Sequence, residues 1–129
     1  MIVDSSALLA VVFREPGFER LLEVMVGEAP AAAGAPTLAE TGIVLHARLG
    51  TAAQGLLERL IDELDIQEVP FGELHWREAV EAFRRYGRGR HPAGLNFGDC
   101  MAYAVARLSG EPLLFLSEDF RRTNIDAVV

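Results

Sequence analysis

Four carboxylates stand where a chain of this kind can do chemistry. Asp4 follows the apolar Met1-Ile2-Val3, and Glu40 lies just inside an apolar-periodic stretch. Asp99 heads the segment from Phe97 to Leu108, and Asp119 follows the β-type run Pro112 to Leu116. Each has a purely structural reading. Asp4 and Asp119 are of a type that caps helix N-termini, Thr37-x-x-Glu40 has capping-box spacing, and Asn96-x-x-Asp99 resembles one. Their helical neighbours support a second reading. Glu40 shares a face with Ile43, Val44 and Ala47, and Asp99 with Ala102, Tyr103 and Ala106, so neither acid is expected on a wet face.

A lone buried carboxylate is costly, and two of them about 5 Å apart at an effective dielectric near 20 repel by roughly 3 kcal/mol. The chain contains no Lys and places no Arg beside Asp4, Glu40 or Asp99; only Asp119 has neighbours of that kind, Arg121 and Arg122. A divalent cation is then the economical counter-charge, and all-oxygen ligation suits Mg²⁺ or Mn²⁺. Such an ion binds phosphate oxygens and activates water, which lets an acidic protein cut an anionic polymer.

The elements that must position these acids alternate between strand and helix. Short β-type runs at Met1–Val3, Ala31–Ala35, Ile66–Val69, Pro112–Leu116 and Ile125–Val129 read as strands. Helical spacing predicts helices over Ala7–Phe13, Phe18–Val26, Thr37–Leu49 and Thr51–Leu64. A fifth is centred on Trp76 to Phe83, and a sixth runs from Phe97 to Leu108. This alternation predicts an α/β fold with a parallel sheet covered on both faces, whose ligands bind beyond the carboxyl ends of the strands. All four acids belong at that rim.

Composition sets the limits. The 129 residues are 50% hydrophobic and 24% charged, enough for a real core in one domain and too apolar for a disordered chain. The 12 basic residues, all Arg, face 19 acids; the formal charge of −7 supplies no global field to gather phosphates, so a nucleic-acid partner must be held locally. Cys100, the single cysteine, excludes an internal disulfide and a cysteine-based zinc site and fits a reducing cytosol. The N-terminus lacks a signal peptide's basic start and cleavage site, and its apolar run ends at Arg14-Glu15-Pro16, too short for a bilayer; the chain is expected to be soluble and cytoplasmic.

Taken with their flanking residues, the four acids resemble the PIN-domain proteins of the VapC type, the toxin half of a prokaryotic toxin–antitoxin pair. The resemblance spans nearly the whole chain. It is carried by Met1-Ile2-Val3-Asp4-Ser5-Ser6-Ala7-Leu8, by Glu40 after Thr37-Leu38-Ala39, by Gly94-Leu95-Asn96-Phe97-Gly98-Asp99-Cys100, and by Pro112-Leu113-Leu114-Phe115 leading into Glu118-Asp119-Phe120. It implies a single PIN domain over residues 1–129, a three-layer sandwich with a central parallel sheet in the order 3-2-1-4-5. It also implies a Mg²⁺- or Mn²⁺-dependent endoribonuclease, neutralisation by a cognate VapB antitoxin, and a homodimer. Position by position, Asp4 and Asp99 match the principal metal ligands, Glu40 completes an acidic triad and Asp119 is the fourth acid. Ser6 matches the hydroxyl residue that orients the first aspartate, and Asn96 the polar residue beside the third acid. Many relatives carry an acid where this chain has Ser117, so the fourth acid is Asp119 or Glu118, with Asp119 ranked first.

Other features have competing readings. Arg84, Arg85, Arg88, Arg90 and His91 form the one basic cluster, either an RNA phosphate contact or a solvated helix end where cations meet the dipole. Cys100 reads as a packed thiol, His46 and His75 as surface or half-buried residues without ligand spacing, and Trp76 and Phe83 as core. Leu8, Leu9, Val12, Phe13, Leu21 and Leu22 are either core or a groove for an antitoxin helix. Two rival functions remain in view. A phosphatase or phosphotransfer domain with Asp4 as nucleophile conflicts with Ser6 at the position of a second Asp and with the absence of Lys. A non-catalytic, partner-binding regulator would use the acids only as helix caps.

Overall fold

The computed structural model describes residues 1–129. The chain runs β1 (Ile2–Val3), α1 (Ser5–Phe13), α2 (Phe18–Met25), β2 (Ala31–Gly34), α3 (Ala35–Leu49), a 3₁₀ turn (Gly50–Ala53), α4 (Leu56–Leu64), β3 (Ile66–Val69), α5 (Glu73–Tyr86), α6 (Phe97–Ser109), β4 (Leu113–Leu114) and a second 3₁₀ turn (Glu118–Arg122). All strand pairs are parallel, in the order β3-β2-β1-β4. No helix is long and apolar enough to cross a membrane.

Period-two alternation along the strands builds a core on each face of the sheet. Ile2 and Leu113 join Leu95, Tyr103, Val105 and Phe120 beneath α5 and α6. Val3 and Leu114 point the other way, to Leu8, Leu21, Met25, Leu38 and Ile66. This two-sided burial explains why β1, β2 and β4 read as continuous apolar runs, whereas the edge strand β3 exposes Gln67 and Glu68. The alanine-rich β2 is a poor strand by propensity, and packing accounts for it. A Cβ on Gly34 would lie 2.7 Å from Val105 Cγ2, so only a small residue lets α6 approach this closely.

Three expectations are corrected. The segment Ile125–Val129 is not a fifth strand: it makes one bridge, Leu113 to Ala127, in which Leu113 N–H donates to the Asp126 carbonyl at 2.8 Å and Val128 N–H to the Leu113 carbonyl at 3.1 Å. Its neighbour β4 has only two residues, too short a template for a longer ladder. The stretch Thr51–Leu64 is not one helix, because Gly55, at φ +74°, breaks it ahead of α4. Trp76 and Phe83 are not core. The helix packs inward through the small Ala79 and Ala82, leaving Trp76 48% and Phe83 42% exposed.

The carboxyl ends of the strands form the rim where order reverses, with β1 flanked by β2 on one side and β4 on the other. Because α6 runs back into β4, its N-terminus lies at this same rim.

Candidate active site

Asp4 leaves β1 and caps α1. Its Oδ2 accepts from the Ser6 N–H at 3.0 Å and the Ser6 hydroxyl at 2.6 Å. The cap occupies one oxygen only; Oδ1 is buried and has no hydrogen-bond partner. Ser6 Oγ in turn accepts from the Leu116 N–H at 3.0 Å, tying the end of β1 to the end of β4. Burial pushes the Asp4 carboxyl up to about 6; the Ser6 hydrogen bonds oppose this and the charge of Glu40 reinforces it.

Asp99, the third residue of α6, is buried and forms a reciprocal box with Asn96. The Asp99 N–H donates to Asn96 Oδ1 at 2.8 Å, and the Asn96 N–H to Asp99 Oδ2 at 3.1 Å. Burial raises this carboxyl to about 7 against the Asn96 bond, and Asp4, Asp119 and Glu40 all push it further. Asp4, Asp119 and Glu40 thus lie near enough for their charges to act on Asp99.

Glu40 and Asp119 are not caps. Helix α3 starts at Ala35 after Gly34, which makes no side-chain cap, and Thr37 lies inside the helix, its carbonyl taken by the Thr41 hydroxyl. Glu40 is half-buried over the start of α6, where a Cβ on Gly98 would meet its carboxylate. The dry face expected around it is wetter than its sequence implied. Ile43 is 69% exposed, and α3 buries Thr37, Leu38, Thr41 and Leu45 instead. Asp119 is half-buried behind the cap residue Ser117, whose Oγ accepts the Asp119 N–H at 3.3 Å. Glu118 is exposed and faces Arg121 at 3.5 Å.

None of the ion pairs in the molecule involves Asp4, Glu40, Asp99 or Asp119. Arg121 is engaged by Glu118 and the Val129 carbonyl, and Arg122 reaches the Pro92 carbonyl, so neither neutralises Asp119. No three acidic, histidine or cysteine side chains stand close enough together to hold a metal ion between them. The donor chemistry still fits a hard cation: the four acids offer only carboxylate oxygens, one of them buried without a partner, and none is paired with a basic side chain.

The PIN domain family model matches residues 1–126. Ribonuclease VapC36 of Mycobacterium tuberculosis is 43% identical over 127 residues, covering 98% of this chain and 91% of that protein. This chain belongs to the PIN-domain family, among the VapC ribonuclease toxins. The fold agrees with solved VapC structures. The Mycobacterium tuberculosis VapC20 structure, described as a sarcin–ricin loop cleaving toxin, superposes with a TM-score of 0.78 at 18% identity over 98% of this chain and 97% of that one. VapBC2 from Rickettsia felis, bound to a DNA fragment from its promoter, gives 0.75 at 12% identity, over 98% and 94%.

The remaining candidate residues divide clearly. Arg84, Arg85, Arg88 and Arg90 are exposed along the end of α5 and the loop that feeds α6; Arg84 is paired to Glu81, while Arg85 and Arg90 lie over the Tyr86 and Phe83 rings. Cys100 is buried, its thiol pushed up to about 11 by burial first and by Asp99 second, which leaves it unreactive at neutral pH. Leu8 and Leu21 are core, whereas Leu9, Val12, Phe13 and Leu22 are half-buried. One juxtaposition had no signal in the sequence: Arg48, at the end of α3, lines a cleft of about 350 Å³ with Ser6, Leu9, Glu15, Leu116 and Ser117, and pairs there with Glu15 at 3.9 Å. Only tertiary folding brings it there.

Proposed function

We propose that this chain is a Mg²⁺- or Mn²⁺-dependent endoribonuclease, acting in the cytoplasm as one PIN domain over residues 1–129. The observation that carries the metal assignment is the buried, unpartnered Oδ1 of Asp4 among acids that no cationic side chain neutralises. Asp4 and Asp99 are the principal ligands. Ser6 locks one oxygen of Asp4 and leaves the other for the centre, and Asn96 does the same for Asp99. Glu40 and Asp119 complete the set and orient the attacking water in line with the scissile phosphorus; Glu118, turned to Arg121, supports the 3₁₀ turn. Bound at this centre, Mg²⁺ or Mn²⁺ supplies positive charge to phosphate oxygens and acidifies water. Cleavage leaves 5′-phosphate and 3′-hydroxyl ends. Arg88 and Arg90, with Arg84 and Arg85, contact RNA phosphates outside the centre.

Two protein partners belong to this reading: a VapB-type antitoxin that neutralises the nuclease, and a second copy of the chain. The homodimer is supported by an apolar cleft of about 550 Å³ between α5 and α6, lined only by hydrophobic residues, among them the exposed Trp76, Val80, Phe83 and Phe97. The purified, antitoxin-free chain is expected to cut RNA in Mg²⁺ or Mn²⁺, to stop with chelator and to resume on resupply. Cleavage indifferent to chelator refutes the metal assignment.

A further inference from the structure

Helix α6 has glycine as its second residue, a choice its backbone does not explain. Gly98 has no left-handed φ, and alanine is the better helix former at such a position. The reason lies across the gap to α3. The three atoms nearest to a Cβ built on Gly98 all belong to the Glu40 carboxylate, with Oε1 at 2.6 Å and Cδ at 2.7 Å. Other crowded glycines meet a packed side chain or the backbone instead, Val105 at Gly34 and the carbonyl and ring of Phe83 at Gly87. At Gly98 the absent side chain is replaced by an acid of the centre.

We propose that Gly98 is a positioning residue of the nuclease: the space left by its missing side chain seats the Glu40 carboxylate, and any side chain there drives Glu40 away from Asp4 and Asp99. This rests on the reading of the four acids as a metal centre. Glu40 is attached through a flexible chain and is only half-buried, so it yields to an added methyl while the helices stay in place. The damage falls on the geometry of the centre and spares the fold. Glu40 adds to the charge felt by both Asp4 and Asp99, so its displacement removes attraction for a cation held between them.

The test is direct Mn²⁺ binding to the full chain, by calorimetry and electron paramagnetic resonance without RNA, with thermal melting measured in parallel. Gly98→Ala is expected to melt at or above the unsubstituted temperature and to bind Mn²⁺ about tenfold more weakly. Glu40→Ala is expected to weaken binding similarly, and the double variant to be no weaker than Glu40→Ala alone, because one displacement cannot be made twice. Unchanged Mn²⁺ affinity in Gly98→Ala, or losses that add fully in the double variant, overturn the proposal. Asp99→Asn tests the underlying reading separately. If the unsubstituted chain binds no Mn²⁺, or Asp99→Asn binds it equally well, the metal centre falls and the seat falls with it. Binding that depends on Asp99 but ignores Gly98 overturns the seat alone.

Discussion

The rim of acids and the outer face of α5 depart from ordinary burial in opposite directions. At the rim, Asp4 and Asp99 are buried without a cationic partner. On α5, Trp76, Val80 and Phe83 are exposed without a cover, although Ala79 and Ala82 on the same helix are fully buried. A soluble chain ordinarily avoids both. The contrast teaches that the two regions lack different things. The rim lacks positive charge, which the proposed cation would supply and which an RNA phosphate, itself an anion, cannot; the α5 face lacks apolar cover, which the proposed second chain would supply.

The strongest way to break this comparison is Asp99→Asn. The amide keeps the shape and the helix start but removes the charge, so RNA cleavage is expected to fall roughly a thousandfold or more while melting and self-association persist. A folded, active Asn variant refutes the role of Asp99.

Next in size is the pH dependence of the metal-free chain. Asp4 at about 6 and Asp99 at about 7 both lie above their ordinary value near 3.8, so between those limits the folded chain binds more protons than the unfolded one. Stability therefore falls as pH rises from about 4 to 7, by roughly 3 kcal/mol for Asp4 once it is ionised. Denaturant unfolding in chelator should record that fall, and Asp4→Asn should flatten it. Mg²⁺ should restore stability above pH 7.

The apolar half of the comparison is sharpened by Val80→Asp or Phe83→Asp. A charge placed in the proposed contact should weaken self-association by about a hundredfold, read by sedimentation, and leave Mn²⁺ affinity unchanged. The smallest effect is expected at the basic loop. Arg88→Ala and Arg90→Ala should weaken RNA binding several-fold and lower its salt slope by about one each, with the cleavage pattern preserved.

Much of this was legible in the sequence because the features are local. Asp4 and Asp99 follow from short segments that set both cap and position, and the strand–helix alternation places all four acids at one sheet edge. What escaped depends on neighbours distant in the chain. Helical spacing shows that Trp76 and Phe83 share a stripe, but Ala79 and Ala82 decide which part of it is covered. Glu40 is only half-covered by the start of α6 and Ile43 beside it is 69% exposed, so apolar spacing overstated the dryness of that face. The apolar composition of Ile125–Val129 suits a strand, yet a two-residue partner cannot pair with it beyond one bridge. Nothing near Arg48 in sequence connects it to Ser6 and Ser117.

The central claim is that the buried acids are held in one place for a cation, and proton-linked Mn²⁺ titration of the RNA-free chain tests it most directly. At pH 6, where Asp99 is largely protonated and Asp4 about half so, binding should expel protons into the buffer; at pH 8 the release should vanish while affinity rises. Failure to bind Mn²⁺ at pH 8, or binding at pH 6 without proton release, would contradict the account.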